Sequence, residues 1–566
     1  MGNGKKYTMQ DLEANYINLL INKEPWETGE DLIKKINVKK EKNYKHRYVF
    51  EDLMEYLHGT SNDVCALYGL RRTGKTVLMR QAISQLIYND GVKPEEIAYI
   101  TFAKNTKYTD QEVVNIIRDM KDTVKYFFID EISFIKMNLE YNMLNLLSDE
   151  FCLQGIRIVI AGTFSFALKL LSDEVLFDRM YKIDTTYFSY KEANEVFGYS
   201  LEQFIQYGGI IREAGNEKMT PKDYMRTAVT NNISNSLLRS DKLYEIGYIE
   251  PNINSVIDNA NEKMILNRLS TLIKITVDRY LKALIYNDIT KTPYRFSDIG
   301  NLADLIRQRT SRDNAIDDSL EIVNIDSKKY YGILAEVIGN AKRNEISGET
   351  FKMFIDILKQ IGLIEDIYLQ HYTESCFVTN YLRYGLCEEI LAEIEESVKL
   401  ETNGRYDTDL ASDNLKGTIQ EAIIYLDLQH SNNYDFDKYR NEATGMEVDL
   451  IIKNQDKGTM DIYEIKHSRE PLIGHAKNIV NKEFLMELER EIGLKISSYN
   501  IIYNGNNIVK DINPIDVFKE LKEYAKSLQR TKAEKKWEQL EQRAQVQKWE
   551  TLSFNFINAT EWLCNI

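Results

Sequence analysis

The 566-residue sequence contains no uninterrupted run of about eighteen apolar residues, which argues against a membrane-spanning helix. Its opening stretch, MGNGKKYTMQDLEANY, lacks the apolar core of a secretory signal, and Lys6 stands where a myristoylation signal wants Ser or Thr. Cysteine is scarce. Cys65, Cys152, Cys376, Cys387 and Cys564 are widely spaced, odd in number and form no CxxC pair. That pattern fits reduced, buried thiols in a cytoplasmic protein and excludes a zinc ribbon. The six histidines are scattered and give a His-based metal site no support. Positive charge is outweighed: a formal charge of −15 discourages indiscriminate nucleic-acid binding by the whole surface. One basic stretch, KKINVKKEKNYKHR at 34–47, reads either as a solvated face or linker or as a local DNA contact.

What is present is a globular composition, 43% hydrophobic with 11% aromatic residues, in a chain too long for one core. The strongest local signal is VCALYGLRRTGKTVLMRQAISQL. Val64 to Tyr68 reads as a buried strand, and Met79, Ile83 and Leu86 have helical spacing. Between them Gly69-Leu70-Arg71-Arg72-Thr73-Gly74-Lys75-Thr76 satisfies GxxxxGK[ST]. Glycines let backbone N–H groups turn inward around phosphate oxygens, and the following helix adds the partial positive charge of its amino terminus. Lys75 is expected to reach the β- and γ-phosphates and Thr76 to offer its hydroxyl to Mg²⁺.

A second apolar run, VKYFFIDEISFI, ends in Asp130-Glu131 and reads as a strand buried on both faces of a parallel sheet. Asp130 is placed to hold magnesium through water, and Glu131 to polarise the attacking water as general base. A third run, Ile156 to Ala161, ends in Gly162-Thr163. Thr163 is a candidate γ-phosphate sensor, with capping of the next helix as its alternative role. Arg179, in LFDRMYKIDTTYFSYKE, is either an arginine finger or a surface ion pair. Strands at 64–68, 97–102, 125–129 and 156–161, with helical patterns at 110–120 and 138–149, imply a doubly wound parallel sheet with helices on both faces.

YGLRRTGKTVLM, FFIDEISFI, IVIAGTFSFAL, LFDRMYKIDTTYFSYKE and FIQYGGI, in that order, resemble the bacterial and archaeal AAA+-related P-loop ATPases that carry a carboxy-terminal restriction-endonuclease-like domain. The resemblance implies ATP as the nucleotide. It also implies an extra strand, supplied by Ile156 to Ala161, between the strands that end in the glycine loop and in Asp130.

Residues 250–330 are polar and helix-prone. From 330 onward, Ile333, Leu334, Val337 and Ile338 mark one amphipathic helix. Ser347 caps a second, with Phe351, Phe354, Ile355 and Leu358 on its buried face. Gly362 then ends it and Leu363 to Leu369 reads as a strand, the outline of a winged helix. Its second helix would expose Glu349, Lys352, Asp356 and Lys359, a balanced set, whereas a groove-reading helix carries excess positive charge. A packing module and a DNA-binding module both remain open.

From 414 the pattern is a helix at 415–428, strands near 434–440, 446–453 and 459–466, a helix at 475–490 and a strand at 498–503. This αβββαβ order resembles the core of the PD-(D/E)xK nuclease superfamily. By that resemblance the matching residues are Glu421 on the first helix, Asp449 on the second strand, and Glu464 and Lys466 on the third. It implies that Asp449 and Glu464 bind one or two Mg²⁺ ions, that Lys466 orients the activated water, and that Glu421 completes the metal shell or positions it. Glu replaces Asp at the acid before the lysine. RTKAEKKWEQLEQRAQVQKWE reads as an exposed or frayed charged helix.

The expected organisation is therefore a helical lead-in (1–58), a P-loop ATPase core (59–215), a helical region (216–328) and a winged-helix-like segment (329–395). A nuclease-like domain (396–530) and a charged helical tail (531–566) follow. The function expected is an ATPase whose nucleotide cycle controls a domain directed at DNA or RNA, in mobile-element maintenance or anti-phage defence. The rivals are an ATP-switched scaffold with a catalytically dead nuclease-like domain, and a signalling ATPase that forms nucleotide-dependent homo-oligomers or engages a protein partner, with Arg179 acting in trans.

Overall fold

The computed structural model describes residues 26–27, 45–102, 109–132, 143–162, 179–211, 220–224, 359, 362–369, 373–385, 388, 408–441, 444–527 and 531–566. Thr163, the basic stretch up to residue 44, most of the 216–328 region and both helices of the expected winged helix lie outside these residues.

Six strands form the first sheet: β1 (Trp26–Glu27), β2 (Val64–Tyr68), β3 (Ile97–Thr101), β4 (Tyr126–Asp130), β5 (Arg157–Ala161) and β6 (Met180–Asp184). Their spatial order is β1-β3-β4-β5-β2-β6. The five strands β3, β4, β5, β2 and β6 pair in parallel, and β1 adds an antiparallel edge to β3. Strand β5 thus lies between β2 and β4, as the family resemblance implied. Strand β6 and edge strand β1 were not anticipated.

The sheet is covered on both faces because alternate residues of each central strand enter different cores. Val64, Ala66, Phe127, Ile129, Ile158 and Ile160 pack with Val113, Val114 and Ile117 of helix α3 (Asp110–Met120). Cys65, Leu67, Tyr99, Phe128, Val159 and Ala161 pack instead against helices α1 (Val49–His58) and α2 (Lys75–Tyr88). The amino end of α3 is fixed by a capping box, with Thr109 accepting from the Glu112 amide and Glu112 accepting from the Thr109 amide. Helix α1 precedes β2 and packs on the same sheet. Its Phe50, Leu53, Met54, Tyr56 and Leu57 are buried core residues, so this segment belongs to the nucleotide-binding unit. Two further helices follow β6, α4 (Tyr190–Phe197) and α5 (Leu201–Tyr207).

Of the expected winged helix, the described residues include the hairpin β7 (Ile364–Tyr368) and β8 (Thr373–Phe377), paired antiparallel. The carboxy-terminal unit opens with helix α6 (Thr408–Ser431) and a mixed sheet. Its strands are β9 (Asp435–Asn441), β10 (Met446–Asn454), β11 (Thr459–Ile465), β12 (Lys495–Tyr503), β13 (Ile508–Ile512) and β14 (Leu552–Asn558). Their spatial order is β13-β14-β12-β11-β10-β9. Strands β9, β10 and β11 form an antiparallel meander. Helix α7 (Lys482–Ile492) then crosses over so that β12 runs parallel to β11.

Helix α8 (Pro514–Ser527) packs on α9 (Thr531–Val546), with Phe518 stacked on Trp537 and Lys522 paired to Glu541 at 2.5 Å. Beyond α9, β14 inserts between β12 and β13 and buries Phe554 and Phe556 in the core shared with Ile501. Helix α10 (Ala559–Asn565) ends the chain. The charged stretch is thus a largely exposed helix, as read from the sequence, and the strand that follows it at 552–558 is an internal part of the sheet. Alternating Leu552, Phe554 and Phe556 carried the signal, but the charged helix before them obscured it.

Candidate functional site

The first site forms where β2 turns into α2. Gly69 has φ 139° and Gly74 has φ 96°, both in the region that favours glycine. A Cβ at Gly69 would come within 2.5 Å of Thr185 Oγ1, so the close approach of β6's following residues also requires glycine there. The loop's outer carbonyls are held from outside by three separate donors. Tyr224 Oη donates to Arg71 O at 2.9 Å, the Ile211 amide to Arg72 O at 2.9 Å, and Arg47 Nη1 to Thr73 O at 2.9 Å. These three bonds fix the carbonyls of the loop immediately before α2 begins.

Lys75 is buried and its ammonium donates to Gly69 O and Leu70 O, both at 2.8 Å. Burial lowers its pKa to about 8, against the opposing pull of Glu131, Asp130 and Asp184. Asp130, at the carboxyl end of β4, accepts from Thr76 Oγ1 and from Tyr99 Oη on the same oxygen, each at 2.7 Å. Its other oxygen accepts from the Glu131 amide at 3.0 Å. Glu131 has φ 56°, an uncommon conformation for a non-glycine residue, which redirects the chain directly after the strand. A threonine hydroxyl and a carboxylate in contact are hard oxygen donors and fit Mg²⁺. Tyr99 and Arg47 were not singled out from the sequence. Both act across long sequence separations and carry no local motif.

Arg179 is not brought to this loop. It precedes β6, its carbonyl accepts from the Val64 amide at 3.1 Å, and its side chain pairs with Asp149 at 2.6 Å, both side chains about half exposed. Val64 opposes Met180 and Tyr68 opposes Asp184, so Arg179 lies at the end of the sheet away from the glycine loop. At about 3.3 Å per residue the separation is about 16 Å. In the described arrangement Arg179 makes a surface ion pair with Asp149.

The second constellation lies on β10, β11 and α6. Asp449 and Glu464 are buried, 4% and 1% exposed. Lys466 Nζ sits 2.9 Å from Asp449 Oδ2 and 2.7 Å from Glu464 Oε2. Asp449 Oδ2 also accepts from the Ile465 amide at 2.9 Å. Glu464 Oε1 accepts from Asn478 Nδ2 at 3.3 Å, whereas Oε2 touches the ammonium off any hydrogen-bonding direction. Glu421 on α6 is partly exposed, 3.8 Å from Lys438. One turn further along, Tyr425 Oη donates to the carbonyl of Asp449 and joins α6 to β10.

The two strand acids differ electrostatically. Burial alone would raise Asp449, but Lys466, Lys438 and the Ile465 amide outweigh it and hold the group below its ordinary value. Burial raises Glu464, and the charge of Asp449 raises it further against the attraction of Lys466. Glu421 is raised by the same two causes. One ionised and one protonated acid is the expected outcome when carboxylates crowd a single cation. Burial and then Lys466 and Lys477 push His475 down to about 4, so its ring is neutral beside the ammonium. Among the described residues no three His, Cys, Asp or Glu side chains converge as a ready-made metal cage. The two strand carboxylates nevertheless suit a hard divalent cation as donors, in exchange for the contact each makes with Lys466. Asn478 and His475, which complete the surroundings, had no motif to reveal them.

An AAA domain family matches residues 61–194. No curated protein matches the chain. Solved structures similar to it include the Aeropyrum pernix ORC2 protein in its ADPNP–ADP complexes, 12% identical, TM-score 0.25, covering 61% of this chain and 91% of that one. Another is the S. cerevisiae Hsp104–ADP complex, 13% identical, TM-score 0.25, covering 81% of this chain and 66% of that one. No helix among the described residues is long and apolar enough to cross a membrane.

Proposed function

We propose that the chain, whose residues 61–194 form an AAA-type P-loop ATPase domain, uses an ATP cycle to govern a nuclease-like carboxy-terminal domain directed at nucleic acid. The loop at residues 69–74 holds phosphate oxygens, and Lys75 leaves the carbonyls of Gly69 and Leu70 for the β- and γ-phosphates. Thr76 and Asp130 would hold Mg²⁺, which supplies charge neutralisation when bound. Glu131 takes the proton of the attacking water, and Thr163 reads the γ-phosphate.

Lys75 makes nucleotide affinity depend on pH. Its folded-state pKa is depressed to about 8, and phosphates favour the charged form. Above that pH, binding must take up a proton, so affinity for ATP falls by up to about tenfold per pH unit, and it is flat below. Titrations at pH 7, 8 and 9 read this directly. Lys75→Arg, which does not titrate in this range, should flatten the profile. An unchanged slope in that variant would assign the effect to another group.

The observation that carries the nuclease part is the contact of Lys466 with both Asp449 and Glu464 on adjacent strands, beside a helix bearing Glu421. Asp449 and Glu464 would hold a divalent cation, which supplies a bound water of lowered pKa. Lys466 steadies that water and the negative charge that develops on phosphate, and Glu421 would complete the metal shell or position it. Incubation of the purified protein with linear and circular DNA and with RNA, in Mg²⁺ or Mn²⁺ with and without ATP, should give metal-dependent products.

The same contact favours a second reading, a scaffold whose acidic site binds without cutting, because the ammonium of Lys466 already neutralises the two carboxylates. That reading expects ATP-dependent retention of nucleic acid or a protein partner and no cleavage in any divalent metal. Arg179 serves as a finger in trans, in a nucleotide-dependent oligomer.

A further inference from the structure

Helix α6 is held by the nucleotide-binding unit at two points, one on each side of Glu421. At the first, Asp427, buried to 4%, accepts from Tyr187 Oη and from the Tyr190 amide at 3.0 Å. The Tyr187 ring stacks on His430 of the same helix, centroids 3.7 Å apart. At the second, Glu202 on α5 pairs with Lys416 at 2.8 Å and with His467, the neighbour of Lys466, at 3.2 Å.

Both points lead back to the phosphate loop. The carbonyl of Tyr187 accepts from Arg47 Nη2 at 2.7 Å, and Nη1 of the same guanidinium donates to Thr73 O and, at 2.6 Å, to Thr185 O. Thr73 Oγ1 and Thr185 Oγ1 are themselves 2.7 Å apart. Glu192, itself 3% exposed, holds Arg47 at 2.8 Å and keeps this cation in place. On the other side, α5 is followed by Ile211, whose amide bonds Arg72 O. Thus the carbonyls of Arg72 and Thr73, consecutive in the loop, are each the start of a hydrogen-bonded or covalent path of a few residues to α6.

We infer that these two paths form a clamp through which nucleotide occupancy of the loop sets the position of α6, and with it Glu421 and the Tyr425 bond to Asp449. The inference rests on the proposed function in requiring ATP at the loop, but not on cleavage. When phosphates draw Lys75 away from Gly69 O and Leu70 O, the loop resettles. The carbonyls of Arg72 and Thr73 carry that shift to Ile211 and Arg47. At the Asp427 point the contacts are buried, so partial breakage leaves desolvated groups unpaired; Glu202 is 41% exposed, and its ion pairs are the weaker tie. Two-state coupling of this kind is read as a change in local opening of the element at the far end.

The test is amide hydrogen exchange on the full chain with and without saturating non-hydrolysable ATP analogue and Mg²⁺, with binding followed on the same samples. Exchange in residues 416–431 should change by about tenfold on binding in the wild type. Tyr187→Phe combined with Glu202→Gln, which keeps ring packing and side-chain size, should bind the analogue and lose that change. A wild-type helix indifferent to bound analogue, or a change that survives in the double variant, overturns the clamp. Failure of the wild type to bind the analogue overturns the clamp and the ATPase reading together, and the binding measurement identifies that case. Cleavage does not enter the readout, so a catalytically dead acidic site and a failed clamp give different results.

Discussion

Lys75→Ala is expected to reduce ATP turnover by at least about 10²-fold, since it removes a buried cation aimed at charge that develops during phosphoryl transfer. The expectation follows from the loop's construction. The carbonyls of Arg71, Arg72 and Thr73 are anchored from outside, so the loop retains these anchors and its backbone amides in the variant. Removing Lys75 also removes a desolvation penalty, because burial opposes its charge. The substitution also leaves the carbonyls of Gly69 and Leu70 without this donor, so thermal unfolding of the variant is measured beside turnover to separate catalysis from folding. Glu131→Gln complements it. Turnover should fall by about 10²- to 10⁴-fold, as for loss of a general base, while nucleotide binding is retained. Steady-state hydrolysis and equilibrium ATP binding, measured side by side, distinguish the two variants. Undiminished turnover in both would remove the ATPase assignment.

The second large effect belongs to Asp449. Its substitution by Ala should abolish metal-dependent cleavage and weaken binding of Mn²⁺ at the acidic site. It should also destabilise the carboxy-terminal unit by about 1–3 kcal/mol, the usual cost of leaving a buried donor, here the Ile465 amide, without its acceptor. Lys466 keeps Glu464 as its partner at 2.7 Å, so no charge is stranded. Asp449→Asn keeps the volume and one acceptor for the Ile465 amide, and should lose cleavage with less destabilisation. Cleavage that survives in both variants would rule out this site.

The pH dependence has a definite sign. The folded-state pKa of Glu464 is raised by burial and by Asp449. Its contribution to stability is present below the ordinary carboxylate pKa and is lost as pH rises through the elevated value. A divalent cation competes with that proton, so Mn²⁺ affinity should rise with pH across the same window and metal binding should release a proton. Calorimetric titration in two buffers of different ionisation enthalpy measures the proton count.

The parts of this architecture legible in the sequence are those in which neighbouring residues do the work. The loop 69–76 is a short backbone device, and its glycines are required by dihedral angle and by the approach of Thr185. Strands β2 to β5 are buried on both faces and read as unbroken apolar runs. Strand β6 was missed because it is an edge strand, with Ile183 its one fully buried residue. Asp449, Glu464 and Lys466 do converge on one another, since strand alternation and a hairpin register are local rules. Arg47, Tyr187 and Asp427 were not foreseeable in this way. Their contacts join residues more than a hundred positions apart, and a lone arginine, tyrosine or aspartate has no pattern that singles it out.

Strand β14 has a consequence for how the protein is made. Residues 552–558 lie between β12 and β13, so neither of those strands has its full complement of neighbours until that part of the chain has left the ribosome. Synthesis at about 5–20 residues per second leaves an interval in which the nucleotide-binding unit has emerged and the second sheet is still open on one side. Parallel pairing of β12 with β14 across two helices is a slow, non-local closure. A nascent chain can therefore fold its ATPase unit well before the sheet beside Asp449 and Glu464 is complete.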